Sequence, residues 1–172
     1  DAFRSLKKPG GKVTDADWMK VTNLNLSFTE LSDAGLKELS KAQNLTGLSV
    51  PQTRITNAGI KELAAFKHLH TLNVFDTQIS DAGLKELATL KQLKRLYLGN
   101  TKITDAGLRD LAALPQLNTI TLDGAEITDA GLDELAKFEQ LVMVGVMRTK
   151  VTKAAVEKFK KALPKCRIQS NF

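Results

Sequence analysis

The chain has a single cysteine, Cys166, so no disulfide can form within it, and cysteine usage is silent about redox compartment. It has one tryptophan, one tyrosine and four prolines. Aromatics interleaved with basic residues, the usual platform for nucleic-acid bases, are missing, so nucleic acid is not an expected partner. No apolar run approaches the roughly 18–20 residues that a membrane-spanning helix needs, so membrane insertion is not expected either. Phosphate-cradling glycine loops and nucleophile elbows are absent. The only two histidines, His68 and His70, could begin a metal site. No cysteine or acidic cluster joins them, and the nearest carboxylate, Asp76, falls beyond the following strand. The reading is therefore of a protein that is not an enzyme and has no metal and no cofactor. The chain starts at Asp1 without an apolar leader, as expected of a mature or trimmed fragment.

Charge is unevenly distributed. Residues 1–20 carry +2, residues 21–147 carry −3, and residues 148–172 carry +7, which together make the net +6. The basic character thus belongs to the last stretch. There Val156, Phe159 and Leu163 share one side of a helical pattern, while Lys158, Lys160 and Lys161 fall mainly on the other. That is an amphipathic helix with a solvated lysine face.

What the chain has in abundance is self-similarity. Val21, Leu45, Leu69, Leu93, Leu117 and Leu141 each open the same 24-residue phrase. Its consensus is Leu-x-x-Leu-x-Leu-x-x-Thr-x-Ile-Thr-Asp-Ala-Gly-Leu-x-x-Leu-Ala. A fixed period of this size signals a stacked-coil architecture. In residues 93–116, Leu96 and Leu98 alternate with Arg95, Tyr97 and Gly99, as in a strand buried on one face. Thr104 then caps a short helix, Asp105 suits its dipole, and Leu108, Leu111 and Leu114 form an inward stripe that Pro115 ends. Thr29, Thr53, Thr77, Thr101 and Thr149 form a column whose hydroxyls can bond backbone left unpaired after each strand, and Ala125 interrupts it. Gly35, Gly59, Gly83, Gly107 and Gly131 are followed one period on by Ala155, so smallness rather than left-handed backbone is the demand there.

The phrase resembles the leucine-rich repeat signature Leu-x-x-Leu-x-Leu-x-x-Asn/Cys-x-Leu over residues 21–164, with Thr in the Asn/Cys place. In this it is similar to a bacterial subclass of leucine-rich repeats. The resemblance implies an α/β fold: a right-handed horseshoe solenoid with a parallel sheet on the concave face and short helices on the convex face. It also implies a secreted or cell-envelope setting. The organisation expected is one domain, 1–172. Residues 1–20 form an N-terminal cap, 21–164 six repeats, and 153–172 a capping helix with a residual strand. Phe3, Leu6, Val13, Trp18 and Met19 would cover the first coil. Within the cap, Asp1–Lys8 reads as a helix, Pro9–Gly11 as a turn and Lys12–Thr14 as a partial strand.

Function is then sought where the repeat varies. The outward strand positions begin small and polar, but Phe75, Arg95, Tyr97, Met143 and Met147 break that trend. Structure does not require such side chains to face solvent, and aromatic and arginine residues dominate interface energetics. The expected site is a partner-binding cluster of Phe75, Arg95, Tyr97, Asp123, Met143, Met147 and Arg148, with Phe75 and Tyr97 close enough to touch. The expected partner is an unidentified protein or peptide. A glycan held by Phe75 and Tyr97 with Asn73, Asp76, Asn100 and Asp123 is the alternative, and a structural spacer within a larger protein is a third.

Overall fold

Each repeat spends three residues as a strand because only Leu-x-Leu alternates before the chain must turn. A computed structural model describes residues 14–172. It places seven such strands in one sheet: β1 (Asn23–Asn25), β2 (Gly47–Ser49), β3 (Thr71–Asn73), β4 (Arg95–Tyr97), β5 (Thr119–Thr121), β6 (Met143–Gly145) and β7 (Arg167–Gln169). All neighbours are parallel, in sequence order, and in register at the 24-residue period, so that Leu24, Leu48, Leu72, Leu96, Ile120 and Val144 stand side by side. The helix α1 (Asp15–Trp18) precedes β1, and between the strands lie α2 (Asp33–Leu39), α3 (Asn57–Glu62), α4 (Asp81–Leu87), α5 (Asp129–Leu135) and α6 (Lys153–Ala162). This is the expected sheet-and-helix solenoid.

Two local expectations change. The helix of residues 105–114 is not α-helical; Gly107–Ala113 is a 3-10 helix, and Leu63–Ala65 extends α3 in the same form. Apolar residues spaced by three, as in Leu108, Leu111 and Leu114, eclipse one another in 3-10 geometry, and the stripe then faces inward without drift. Thr14, expected at the end of a partial strand, instead caps α1 in a capping box with Asp17. Of the residues expected to cover the first coil, Trp18 packs partly buried against the core and Met19 is exposed; the expectations at Phe3, Leu6, Val13 and residues 1–13 generally lie outside the described residues.

The core is a set of columns. The strand leucines, the isoleucines Ile55, Ile79, Ile103 and Ile127, and the helix residues Leu84, Leu87, Leu108 and Leu111 are all essentially inaccessible. Burying one such side chain is worth about 1.5–3 kcal/mol, and each coil repeats the set. At the far end, Phe159 on α6 and Cys166 complete the cover.

Polar groups lock the coils together. The Thr-Asp pair at each helix start reaches across the stack. Asp33 accepts hydrogen bonds from both the backbone N–H and the hydroxyl of Thr56, at 2.8 and 2.7 Å. Asp81 does the same to Thr104, Asp105 to Thr128 and Asp129 to Thr152. Asn57 and Ser80 make the amide version. The aspartate read from sequence as a partner of its own helix dipole is thus a clamp on the next coil. It also explains the glycines. A Cβ added to Gly59 would stand 2.3 Å from Asp33 Oδ1, and one on Gly107 2.3 Å from Asp81 Oδ1. None of these helix glycines has a positive φ. Smallness is required because the clamp of the previous coil passes overhead.

The threonine column turns the chain within its own coil. The hydroxyls of Thr53, Thr77, Thr101 and Thr149 donate to the carbonyl three residues back, at 2.5–2.7 Å. Where Ala125 replaces threonine, its own backbone N–H donates to the Leu122 carbonyl at 2.9 Å. The lost hydroxyl is therefore replaced by backbone, with Gly124 at φ +74° making the tighter turn.

Two outcomes follow from this packing. Gly107→Ala should destabilise by about 1–3 kcal/mol, the range for overpacking. Asp81→Ala should cost a similar amount for lost charge-assisted bonds. In the double variant the two costs should fall well short of additive, because removing Asp81 clears the space; urea melts of the four proteins measure the coupling, and strict additivity contradicts the clamp. Burial also pushes the Cys166 thiol up from its ordinary pKa. Since the thiolate is the nucleophile, an aromatic disulfide reagent at mildly alkaline pH should label native Cys166 on the order of tenfold or more slower than urea-unfolded chain.

Candidate functional site

Alternation within each strand sends Leu inward and its neighbours outward, so the sheet's outer face is written by two residues per strand. On β1 to β4 these are Asn23 and Asn25, Gly47 and Ser49, Thr71 and Asn73, and Arg95 and Tyr97. Small residues in the middle leave a hollow of about 570 Å3, walled at one side by Asn23 and Asn25 and at the other by Arg95 and Tyr97. Parallel strands lie about 4.8 Å apart, so three steps separate the two walls by about 14 Å. Gly47 forms the floor, and the Asn23 side chain leans over it: a Cβ there would sit 2.2 Å from Asn23 Oδ1. Arg95 is exposed and belongs to none of the ion pairs among the described residues.

The residues singled out from sequence divide into three groups. Arg95 and Tyr97 stand together in the wall of the hollow. Phe75 and Asp123 are turned to structural use. The Phe75 ring rests against Gly99, where a Cβ would be 2.8 Å from Cδ2, while Tyr97 pairs in register with Asn73 and Thr121. Asp123 accepts the Met147 backbone N–H at 2.7 Å. Met143, Met147 and Arg148 form a separate group around β6, away from the hollow. Of the residues expected to hold a glycan, Asp76 accepts a hydrogen bond from Gln52 at 2.8 Å.

The structure gives the column of residues just beyond the strands a shared backbone conformation. Phe28, Gln52, Asp76, Asn100, Gly124 and Arg148, one per coil, all have φ between 51° and 74°. The backbone N–H of each of the first five donates to a carbonyl of the next coil, which sets the left-handed turn at the rim of the sheet. Only one of the six is glycine. Asp76 and Asn100 tolerate this region, and together with Gly124 they were the available signal. Phe28 fits it worst, and it is 77% exposed, the most exposed of the large apolar side chains described. His68 is exposed and His70 half-buried, and among the described residues no group of three or more His, Cys, Asp or Glu could hold a metal.

Because Phe28 gains little burial and sits in left-handed backbone, Phe28→Gly should leave stability unchanged or raise it, by up to about 1 kcal/mol. Thermal melts check this; a clear loss would show that the ring packs.

The geometry can be set beside known proteins. A family model described as Leucine Rich repeat matches residues 19–40, 67–88 and 90–112. No curated protein matches the sequence. Among solved structures, the internalin InlF of Listeria monocytogenes aligns with 98% of this chain at TM-score 0.71 and 18% identity. A leucine-rich repeat protein of Leptospira interrogans aligns with 89% at TM-score 0.67 and 23% identity. The internalin InlC2 of Listeria monocytogenes aligns with 92% at 0.58 and 21%. The chain spans 54% of the length of InlF and 38% of the Leptospira protein. At these identities the likeness is one of fold, and that fold generally serves protein–protein binding. Three stretches of the chain match the leucine-rich repeat model, and a parallel sheet stacked coil by coil gives it the leucine-rich repeat solenoid fold.

Proposed function

We propose that the protein is a non-catalytic scaffold that holds a peptide or protein segment on its concave sheet, centred on the hollow over β1 to β4. The observation that carries this reading is the wall formed by Arg95 and Tyr97 beside a floor of small residues. A guanidinium without an ion-pair partner has its donors available for a carboxylate or carbonyl, and a half-exposed tyrosine offers contact area with few torsions to freeze. Asn23, Asn25 and Asn73 add amides; Asn25 and Asn73 spend their carbonyl oxygens on their own turns, at Ser27 and Phe75. Both residues line the hollow, and their NH2 groups remain as donors for backbone carbonyls of an extended segment.

The folded core does not depend on these side chains, so function and stability can be separated. In a random peptide display selection against the protein, recovered peptides should lose on the order of tenfold or more in affinity for Arg95→Ala/Tyr97→Ala, the scale of interface anchors. The urea midpoint should hold. Lys85→Ala, on the helix side, should bind as the parent does. Equal retention by both variants would remove the hollow as the site. Recovery of oligosaccharides but no peptides, lost on Tyr97→Ala, would replace the peptide by a glycan.

A further inference from the structure

The opposite end of the same face has different chemistry. Met143 on β6 and Arg167 on β7 are partners in register, so they lie side by side, and both face outward. Met147 and Arg148 follow β6 on the same side. Their backbone is pinned: Met147 N–H donates to Asp123, and Arg148 N–H to Asn171 Oδ1 at 3.1 Å. Arg148 is further held in left-handed backbone at φ 56°. Phe172 stands one period beyond Arg148 and is 62% exposed, while Met147 is 42% exposed. Arg148 and Arg167 are both exposed, and neither belongs to an ion pair among the described residues. Of the charged groups near them, Lys150 and Lys165 are also cationic and exposed, and Asp123 has one oxygen engaged by Met147.

We infer that this patch is a second contact surface, built to take an acidic peptide segment that also carries apolar side chains. Two exposed arginines without ion-pair partners present planar forks for carboxylates. The methionines between them are adaptable apolar contacts that re-pack around varied side chains. A polymer of anions alone would leave Met143, Met147 and Phe172 wet, which is why the surface favours a peptide. Charge distribution points the same way. Residues 21–147 carry −3 and residues 148–172 carry +7, so an acidic segment is repelled by the body and drawn to this end. The inference stands apart from the hollow over β1 to β4, and either can fail without the other.

The test uses the full chain and fluorescein-labelled random copolymers read by anisotropy. Poly(Glu,Tyr) should bind, more tightly than poly(Glu), and poly(Lys,Tyr) should not. Arg148→Glu/Arg167→Glu should weaken poly(Glu,Tyr) by on the order of tenfold or more, as expected when interface charges are reversed. Met143→Ser/Met147→Ser should erase the preference for poly(Glu,Tyr) over poly(Glu). Lys85→Ala, on the helix side, should leave binding unchanged. All these side chains are exposed or half-buried, and circular dichroism verifies that the variants fold. No binding, binding indifferent to the charge reversal, or heparin bound as tightly as poly(Glu,Tyr) would each overturn the proposal. So would self-association that the charge reversal abolishes without any effect on copolymer, which would assign the patch to a second copy.

Discussion

The structure rests on a carboxylate that reaches from one coil to the next. Asp33, Asp81, Asp105 and Asp129 each take two hydrogen bonds from a threonine 23 residues on, and Asn57 does the equivalent to Ser80. A short repeat cannot bury its own apolar face; it needs its neighbour at a fixed distance and register. The clamp sets that distance. It calls for a small residue where the carboxylate crosses, glycine in most coils and Ala155 in the last, and it leaves the same threonine hydroxyl to cap the helix it begins: Thr56 and Thr128 each accept the backbone N–H two residues on. One polar pair thereby satisfies helix termini, spaces the coils and dictates two further columns of the sequence.

Because every coil is fixed this way, the stack does not rest on the outer strand positions, and they differ along it. Small residues over β1 to β4 give space, with Arg95 and Tyr97 at its edge. Methionine and arginine over β6 and β7 give an adaptable, cationic surface. The rigid ladder beneath both fixes their backbone, so a partner would order side chains but not the main chain that carries them.

Much of the site was readable as outward residues, but their roles were not. Arg95 and Tyr97 were legible because nothing in a parallel sheet asks for them. Phe75 and Asp123 looked equally free and are not: Phe75 fills the space above Gly99, and Asp123 holds the Met147 amide. Both partners lie 24 residues away, where a reading of single strands does not look. Arg167 went unnoticed because it stands beyond the last full repeat. The left-handed backbone at Phe28 was hidden because its column mixes aromatic, polar and basic residues, and only Asp76, Asn100 and Gly124 hint at the turn they share.

The sequence by itself determined the repeat, its strand and helix segments, the inward leucine columns and the need for a small residue at each helix start. Those features are local or periodic, and a period is visible without coordinates. Only the tertiary structure decided which polar atoms meet across coils, that the fourth full helix is 3-10, and that the concave face divides into a polar hollow and a methionine-arginine patch. Such outcomes depend on side chains one period apart being brought within hydrogen-bonding distance. That spacing is created by stacking and is written in no single repeat.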